Sequence, residues 1–206
     1  MFNENNHDMF NKELIEEGLK QGLIRFSDDH EFVFYAYQNK RRKYSNPEEQ
    51  VQLETFLKLI LQFNYSEKRI KLFEPVKVGA SKKEADIIIF SDDLLLSPYI
   101  VVECKEVGAT ESEFREGVNQ GFSYAVSLGA KYVWATSRIK SESYEVLADK
   151  PLERTLNRIP LIPRFGQTDV QKFLYAKCGK NPNSVEPPKN AIEAAYLELA
   201  EVPEDD

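Results

Sequence analysis

Between residues 86 and 105 the chain carries three side chains whose types and spacing could do chemistry on a phosphate ester. Asp86 lies inside the apolar run Ala85-Asp-Ile-Ile-Ile-Phe90, and Glu103 and Lys105 flank Cys104 at the end of Tyr99-Ile-Val-Val-Glu-Cys-Lys105. In a strand, residues two apart share a face. Glu103 and Lys105 therefore point the same way, and Cys104 points oppositely. An adjacent strand brings the Asp86 carboxylate to that pair. Two carboxylates can hold Mg2+ while it keeps several waters and reaches a phosphate oxygen, and the main-chain carbonyl of Cys104 is a further hard oxygen donor. A neighbouring lysine can orient or help deprotonate an attacking water, or stabilise developing charge. Phosphodiester hydrolysis needs this set of parts. The plainer alternative is a Glu-x-Lys pair on a wet strand face. Against it, this acid and lysine terminate a nearly all-apolar strand, where charge is costly unless paired or metal-bound.

Gln120 and Tyr124 are four apart on an expected helix and share a face. An amide and a hydroxyl there can orient the lysine or touch a phosphate; alternatively Tyr124 packs in the core and Gln120 is surface. Glu48, Glu49 and Glu54 lie on the helix before the strands, and helix capping accounts for Glu48 and Glu49. The two histidines, His7 and His30, fall in an expected frayed terminus and a hairpin turn. They argue against His-rich metal centres, and no histidine base is near a Ser or Cys nucleophile. The 206 residues contain no Gly-x-x-x-x-Gly-Lys-Ser/Thr signature, so no ATP-binding P-loop is visible.

The elements that must position these residues are legible in outline. A first helix is expected over Asp8–Lys20 with Asp8 as cap, and Gly18 and Gly22 suggest its end. Leu23–Phe26 and Glu31–Tyr37 read as a β-hairpin. Lys40-Arg41-Arg42-Lys43 follows, either a solvated loop or a phosphate-facing patch. Asn46-Pro47-Glu48-Glu49 is a strong helix start, and its apolar stripe runs to about Phe63. Arg69–Val78, with Pro75, is an edge or bulged strand. Ala85–Phe90 and Tyr99–Glu103 are the best strands. Glu111–Leu128 is a helix ended by Gly129, and Tyr132–Thr136 is a final core strand. Helix, three strands, helix, strand makes an α/β layer with a central mixed sheet flanked by helices. Ser143–Leu147 is a short extra strand, and Ile159–Pro163 is too proline-rich for a central one. Gln171–Lys177 is a last strand, residues 179–188 a linker, and Ala191–Ala200 an amphipathic helix. The chain divides into 1–45, a helix and hairpin packed on the core; 46–178, the core; and 179–206, a linker and acidic tail.

Composition bounds the partners. The net charge is −7, but residues 181–206 hold seven acids and one lysine, leaving 27 acids against 26 bases elsewhere. The body is neutral enough for a local basic patch to govern an encounter. Two cysteines exclude a disulfide scaffold and a four-cysteine zinc site. No apolar run approaches membrane-spanning length, and no cleavable leader is visible. An intracellular, cytoplasmic protein without a membrane partner is expected.

The ordered set Asp86, then Glu103-Cys104-Lys105, resembles the PD-(D/E)xK nuclease superfamily. Asp86 matches the family aspartate, Glu103 the second acid and Lys105 the lysine; the proline before the aspartate is replaced by Ala85. Gln120-Gly-Phe-Ser-Tyr124 matches the Gln-x-x-x-Tyr motif of the R subunit of type I restriction–modification enzymes. Pro47-Glu48-Glu49 and Leu128-Gly-Ala-Lys-Tyr132 are similar to the N-terminal nuclease domain of that subunit, over about residues 20–170. The resemblance implies a restriction-endonuclease-like core and a Mg2+-dependent DNA endonuclease, with Mn2+ able to replace Mg2+. It implies catalytic roles for Asp86, Glu103, Lys105, Gln120, Tyr124 and Glu49, with the metal on Asp86, Glu103 and the Cys104 carbonyl. It implies double-stranded DNA as substrate and modification and specificity subunits as partners. ATP would serve only motor domains that these residues lack. The alternatives are a catalytically silent DNA-binding or scaffold domain of the same fold, and an unrelated small α/β interaction domain.

Overall fold

In a computed structural model of the chain, residues 4–147, 149, 155–167 and 170 are described. The expected strand at 171–177, the linker and the tail helix lie outside them. Helix α1 (Glu4–Lys20) leads into a three-stranded antiparallel sheet, β1 (Ile24–Phe26), β2 (Phe32–Tyr35) and β3 (Lys40–Lys43). Helix α2 (Pro47–Leu61) crosses to a six-stranded sheet whose strands lie in chain order: β4 (Ile70–Val78), β5 (Ser81–Phe90), β6 (Pro98–Cys104), β7 (Tyr132–Thr136), β8 (Ser141–Glu145) and β9 (Arg158–Ile159). Helix α3 (Glu111–Leu128) joins β6 to β7, which pair in parallel while every other neighbour is antiparallel. A parallel pair needs such a crossover, and here it lays α3 across one face of the sheet.

Local chemistry explains the boundaries. Asn46 caps α2, its side chain accepting from the Glu48 N–H at 3.2 Å, with Pro47 in the first turn. Thr110 and Glu113 form a reciprocal capping box on α3, and Gly129 ends that helix in the left-handed region at φ 71°. Two apolar clusters fill the layers. One joins α1, α2 and the inner side of the small sheet to Ile87, Val102, Cys104 and Trp134. The other lies under α3, with Phe114, Val118, Phe122, Val101 and Val133.

Four expectations need correction. Helix α1 begins at Glu4, so Asp8 is inside it and is not its cap; His7 is helical as well. Gly18 does not end α1: a Cβ there would come within 2.6 Å of Leu57 Cδ2, so the glycine permits close α1–α2 packing, and Gly22 at φ 71° makes the turn. Lys40–Lys43 is strand β3, not a loop, because β2 supplies its hydrogen-bonding partner. The extra strand is Ser141–Glu145, drawn two residues earlier by its register with β7. Pro75 does lie on an outer strand, β4, and the proline-rich 158–163 segment contributes only the two-residue edge strand β9.

Candidate active site

The site forms where β5 and β6 part company. Their pairing ends at Ile87 and Val102. Beyond that point the Asp86 carboxylate takes over the role of a ladder partner: the Cys104 N–H donates to its Oδ2 at 2.7 Å. From α2, Gln52 Nε2 donates to Asp86 Oδ1 at 2.7 Å. Asp86 is thus fixed by one main-chain and one side-chain donor.

Glu103 is the first residue of β6 past its last pairing with β5, opposite Ala135 of β7, and is 3% exposed. Its Oε1 is buried with no hydrogen-bond partner among the described residues. Burial pushes the Glu103 carboxyl well above the usual carboxylate range, and the Asp86 charge pushes it further. Burial likewise raises the Asp86 carboxyl, against the lowering effect of the Cys104 N–H bond, and Glu48 adds to the rise. Two desolvated carboxylates repel each other here, so the pair calls for a proton or a cation.

Lys105 faces the same side as Glu103, and Cys104 is turned into the opposite cluster under α2, as strand alternation requires. The lysine Nζ donates to Gln120 Oε1 at 3.4 Å and lies 4.0 Å from Glu48 Oε2. Tyr124 is one turn beyond Gln120 on α3. Its hydroxyl is pushed up to about 12 by burial and then by the Glu103 and Asp86 charges, which places it in the field of the two acids. Gln120 and Tyr124 line a cleft of about 390 Å³ with Lys83, Asn119 and Ser123. Lys105 itself lines a smaller hollow of about 210 Å³, with Glu48, Glu106, Glu113 and Glu116.

The two acids at the start of α2 divide. Glu48 turns to Lys105. Glu49 turns under the small sheet, where Tyr35 Oη donates to its Oε1 at 2.6 Å. Burial raises the Glu49 carboxyl to about 7; the Tyr35 hydrogen bond and Arg42 oppose that rise, and Asp86 and Glu48 add to it. Glu54 lies on neither side of the site. It is held by the Arg138 guanidinium from the β7–β8 turn, with Arg138 Nε at 2.8 Å from its Oε2.

Three residues of the site escaped the motif-based reading. Gln52 is one turn after Glu48, so helical spacing from an acid was its signal. Gly117 and Gly121 form a small-residue pair four apart on α3. A Cβ at Gly117 would lie 2.9 Å from Lys105 Cε; one at Gly121 would lie 2.7 Å from Val133 Cγ1 and 3.4 Å from Glu103 Cγ. Both glycines therefore hold open the space that the lysine and the glutamate occupy.

No group of three or more His, Cys, Asp or Glu side chains among the described residues is arranged to hold a metal. The donor set is instead two carboxylates beside an open cleft, one of them with an orphaned oxygen. That suits a hard divalent ion that retains most of its water.

The fold and these residues define a mixed α/β protein whose six-stranded sheet, flanked by helices, is compatible with a nuclease-like core. Residues 47–163 match the family model described as the type I restriction enzyme R protein N terminus (HSDR_N), and the chain belongs to that family. The matched span opens at the first residue of α2 and contains Asp86, Glu103, Lys105, Gln120 and Tyr124. No curated protein matches the chain. No helix among the described residues is long and apolar enough to cross a membrane.

Proposed function

We propose that this chain is the Mg2+-dependent DNA endonuclease domain of a type I restriction enzyme R subunit, of the PD-(D/E)xK class. The observation that carries the reading is the buried Glu103 oxygen without a hydrogen-bond partner, placed beside a second raised carboxylate, Asp86. Asp86, Glu103 and the Cys104 carbonyl would hold the ion, which when bound supplies charge neutralisation and polarises a phosphate oxygen.

The chain's own residues do the rest. Gln52 and the Cys104 N–H fix the Asp86 carboxylate, so its orientation does not depend on substrate. Gln120, which lines the cleft, and Glu48 hold the Lys105 ammonium between them. From there Lys105 orients the attacking water and offsets the negative charge that develops on the phosphoryl oxygens. Tyr124 presents its hydroxyl to the same cleft and, being raised to about 12, remains a hydrogen-bond donor at neutral pH. Water adds its oxygen to phosphorus and gives up a proton to surrounding water, the P–O ester bond breaks, and the leaving alkoxide takes up a proton from surrounding water. In the assembled enzyme, cleavage of double-stranded DNA would be coupled to ATP-driven translocation, with modification and specificity subunits choosing the target.

Lys105→Ala tests this. In a complete enzyme carrying the motor, supercoiled plasmid is supplied with ATP and Mg2+, and translocation is followed in parallel. Loss of cutting with translocation intact is expected. Wild-type cutting by a folded Lys105→Ala enzyme would remove Lys105 from the chemistry and leave the catalytically silent reading in its place.

A further inference from the structure

The small sheet carries a second surface that the hydrolytic site does not use. Strand alternation places Arg25, Phe32, Phe34, Arg41 and Lys43 on one face. Register gathers them: Arg25 is opposite Phe34, Phe34 opposite Arg41, and Phe32 opposite Lys43. The Arg25 guanidinium lies 4.6 Å over the Phe34 ring; that of Arg41 lies 3.7 Å over Phe32 and 5.7 Å from Phe34. Arg25, Arg41 and Lys43 are exposed, and none of the three forms an ion pair among the described residues. Phe32 and Phe34 are half-buried and belong to neither apolar cluster. The β1–β2 connection carries Asp28, Asp29 and Glu31, and Asp29 lies in the field of Arg41.

The other face of the same strands is structural. Val33 and Tyr35 enter the core. Arg42 is turned inward, 2.5 Å from Glu84 and 3.6 Å over Phe73. Of the four basic residues in the run 40–43, only Arg41 and Lys43 therefore belong to the outer patch. The Arg42–Glu84 and Tyr35–Glu49 contacts also anchor the small sheet beside the carboxylate site, since Glu84 is two residues before Asp86.

Charge and shape together select the occupant. Three exposed cations that form no ion pair among the described residues call for a polyanion. Guanidinium groups seated over aromatic rings combine π-surface with charge, the combination that binds single strands by stacking and phosphate attraction. Phe32 and Phe34 are two apart on one strand and so about 6.7 Å apart. That is roughly twice the 3.4 Å axial rise per nucleotide of a duplex strand, so the platform fits bases of a drawn-out strand and not a stacked one. A duplex would meet the cations and leave the rings idle.

We propose that the outer face of the β1–β3 sheet binds an extended single strand of nucleic acid, with the Phe32–Arg41 and Phe34–Arg25 pairs against its bases and Lys43 and the arginine N–H groups on its phosphates. This goes beyond the hydrolytic reading and does not depend on it.

The test is binding of the full chain to a labelled short oligothymidine and to a duplex of equal length, by fluorescence anisotropy across a salt series in EDTA. The chelator keeps cleavage out of the measurement, so failure of the nuclease reading would leave this result untouched. The wild type should bind the single strand more tightly than the duplex. Arg25→Gln/Arg41→Gln should weaken single-strand binding and reduce the salt slope by about 1.4, or about 0.7 for each lost phosphate contact. Phe32→Leu/Phe34→Leu should weaken it by about ten-fold or more with the slope unchanged, because stacking is not ionic. Lys43→Gln touches no ring and should lower the slope by about 0.7 alone, which keeps the test decisive if the arginine variant misfolds. Tighter or equal binding to duplex, or leucine variants that bind like the wild type, would overturn the proposal.

Discussion

The orphaned Glu103 oxygen makes a measurable demand on stability. A buried carboxylate facing a second one destabilises the fold until a cation arrives. Glu103→Gln removes one of the two charges at nearly constant volume. In EDTA the variant should be more stable than the wild type by about 1–2 kcal/mol, or a few degrees in Tm for a chain of this size. Millimolar Mg2+ should raise the wild-type Tm and leave the variant unmoved. A Mg2+ response of equal size in both proteins would exclude Glu103 as a ligand. Glu49 gives a separate pH signature. Its carboxyl is held at about 7 in the fold against 4.5 when exposed, through burial first. A raised acid favours its protonated form in the fold, so its contribution is fully present below pH 4.5 and lost as pH rises through 7. The loss is on the order of 3 kcal/mol at most. Glu49→Gln keeps an acceptor for Tyr35 and removes the titration, so urea midpoints in EDTA should diverge in favour of the variant between pH 5 and pH 8. Parallel profiles would mean that Glu49 is charged in the fold.

Helix α3 is the element that completes the site, and its two glycines separate packing from chemistry. Alanine at Gly121 meets Val133 Cγ1 at 2.7 Å in a filled layer, so something in the sheet must move. A cost of about 1–3 kcal/mol is expected, with Glu103 displaced along with it. Alanine at Gly117 meets only the Lys105 stem, at 2.9 Å from Cε, which can swing aside. Helix propensity there favours alanine by up to about 1 kcal/mol. Gly117→Ala should therefore keep or raise Tm while lowering cleavage, because Lys105 loses its station beside Gln120. Thermal melts alongside cleavage rates check both, and a Gly117→Ala enzyme that cuts at the wild-type rate would show that the lysine's position is not critical.

Across the whole molecule, one apolar cluster runs from Leu14, Ile24, Val33 and Tyr35 through α2 to Ile87, Val102 and Trp134. The small sheet and the inner side of the large sheet thus share a core. They should unfold in a single transition, with far- and near-ultraviolet circular dichroism tracing one curve. Two separated transitions would mean that the small sheet folds independently. The core elements were legible in the sequence because local signals agree there. Asn46-Pro47 and Gly129 bound helices, apolar runs of strand length lie at 87–90 and 99–102, and alternation alone put Glu103 and Lys105 on one face with Cys104 behind. The ordered motif from Asp86 to Tyr124 was enough to point to the restriction enzyme R protein N terminus. What the sequence could not decide was everything set by contacts distant along the chain. The Lys40–Lys43 run is a strand because β2 pairs with it, and its cations divide between two faces for that reason. Gly18 looks like a helix stop until Leu57 is placed against it. Glu48 and Glu49 are indistinguishable as first-turn acids; their roles diverge because Lys105 lies on one side of the helix end and Tyr35 on the other. Gln52 becomes a partner of Asp86 only because β5 and β6 separate after Ile87 and Val102. Local propensity is written in neighbours along the chain, but the environment that raises a carboxyl or orients a lysine comes from residues 14 to 34 positions away, and only the packed tertiary structure brings them within hydrogen-bond reach.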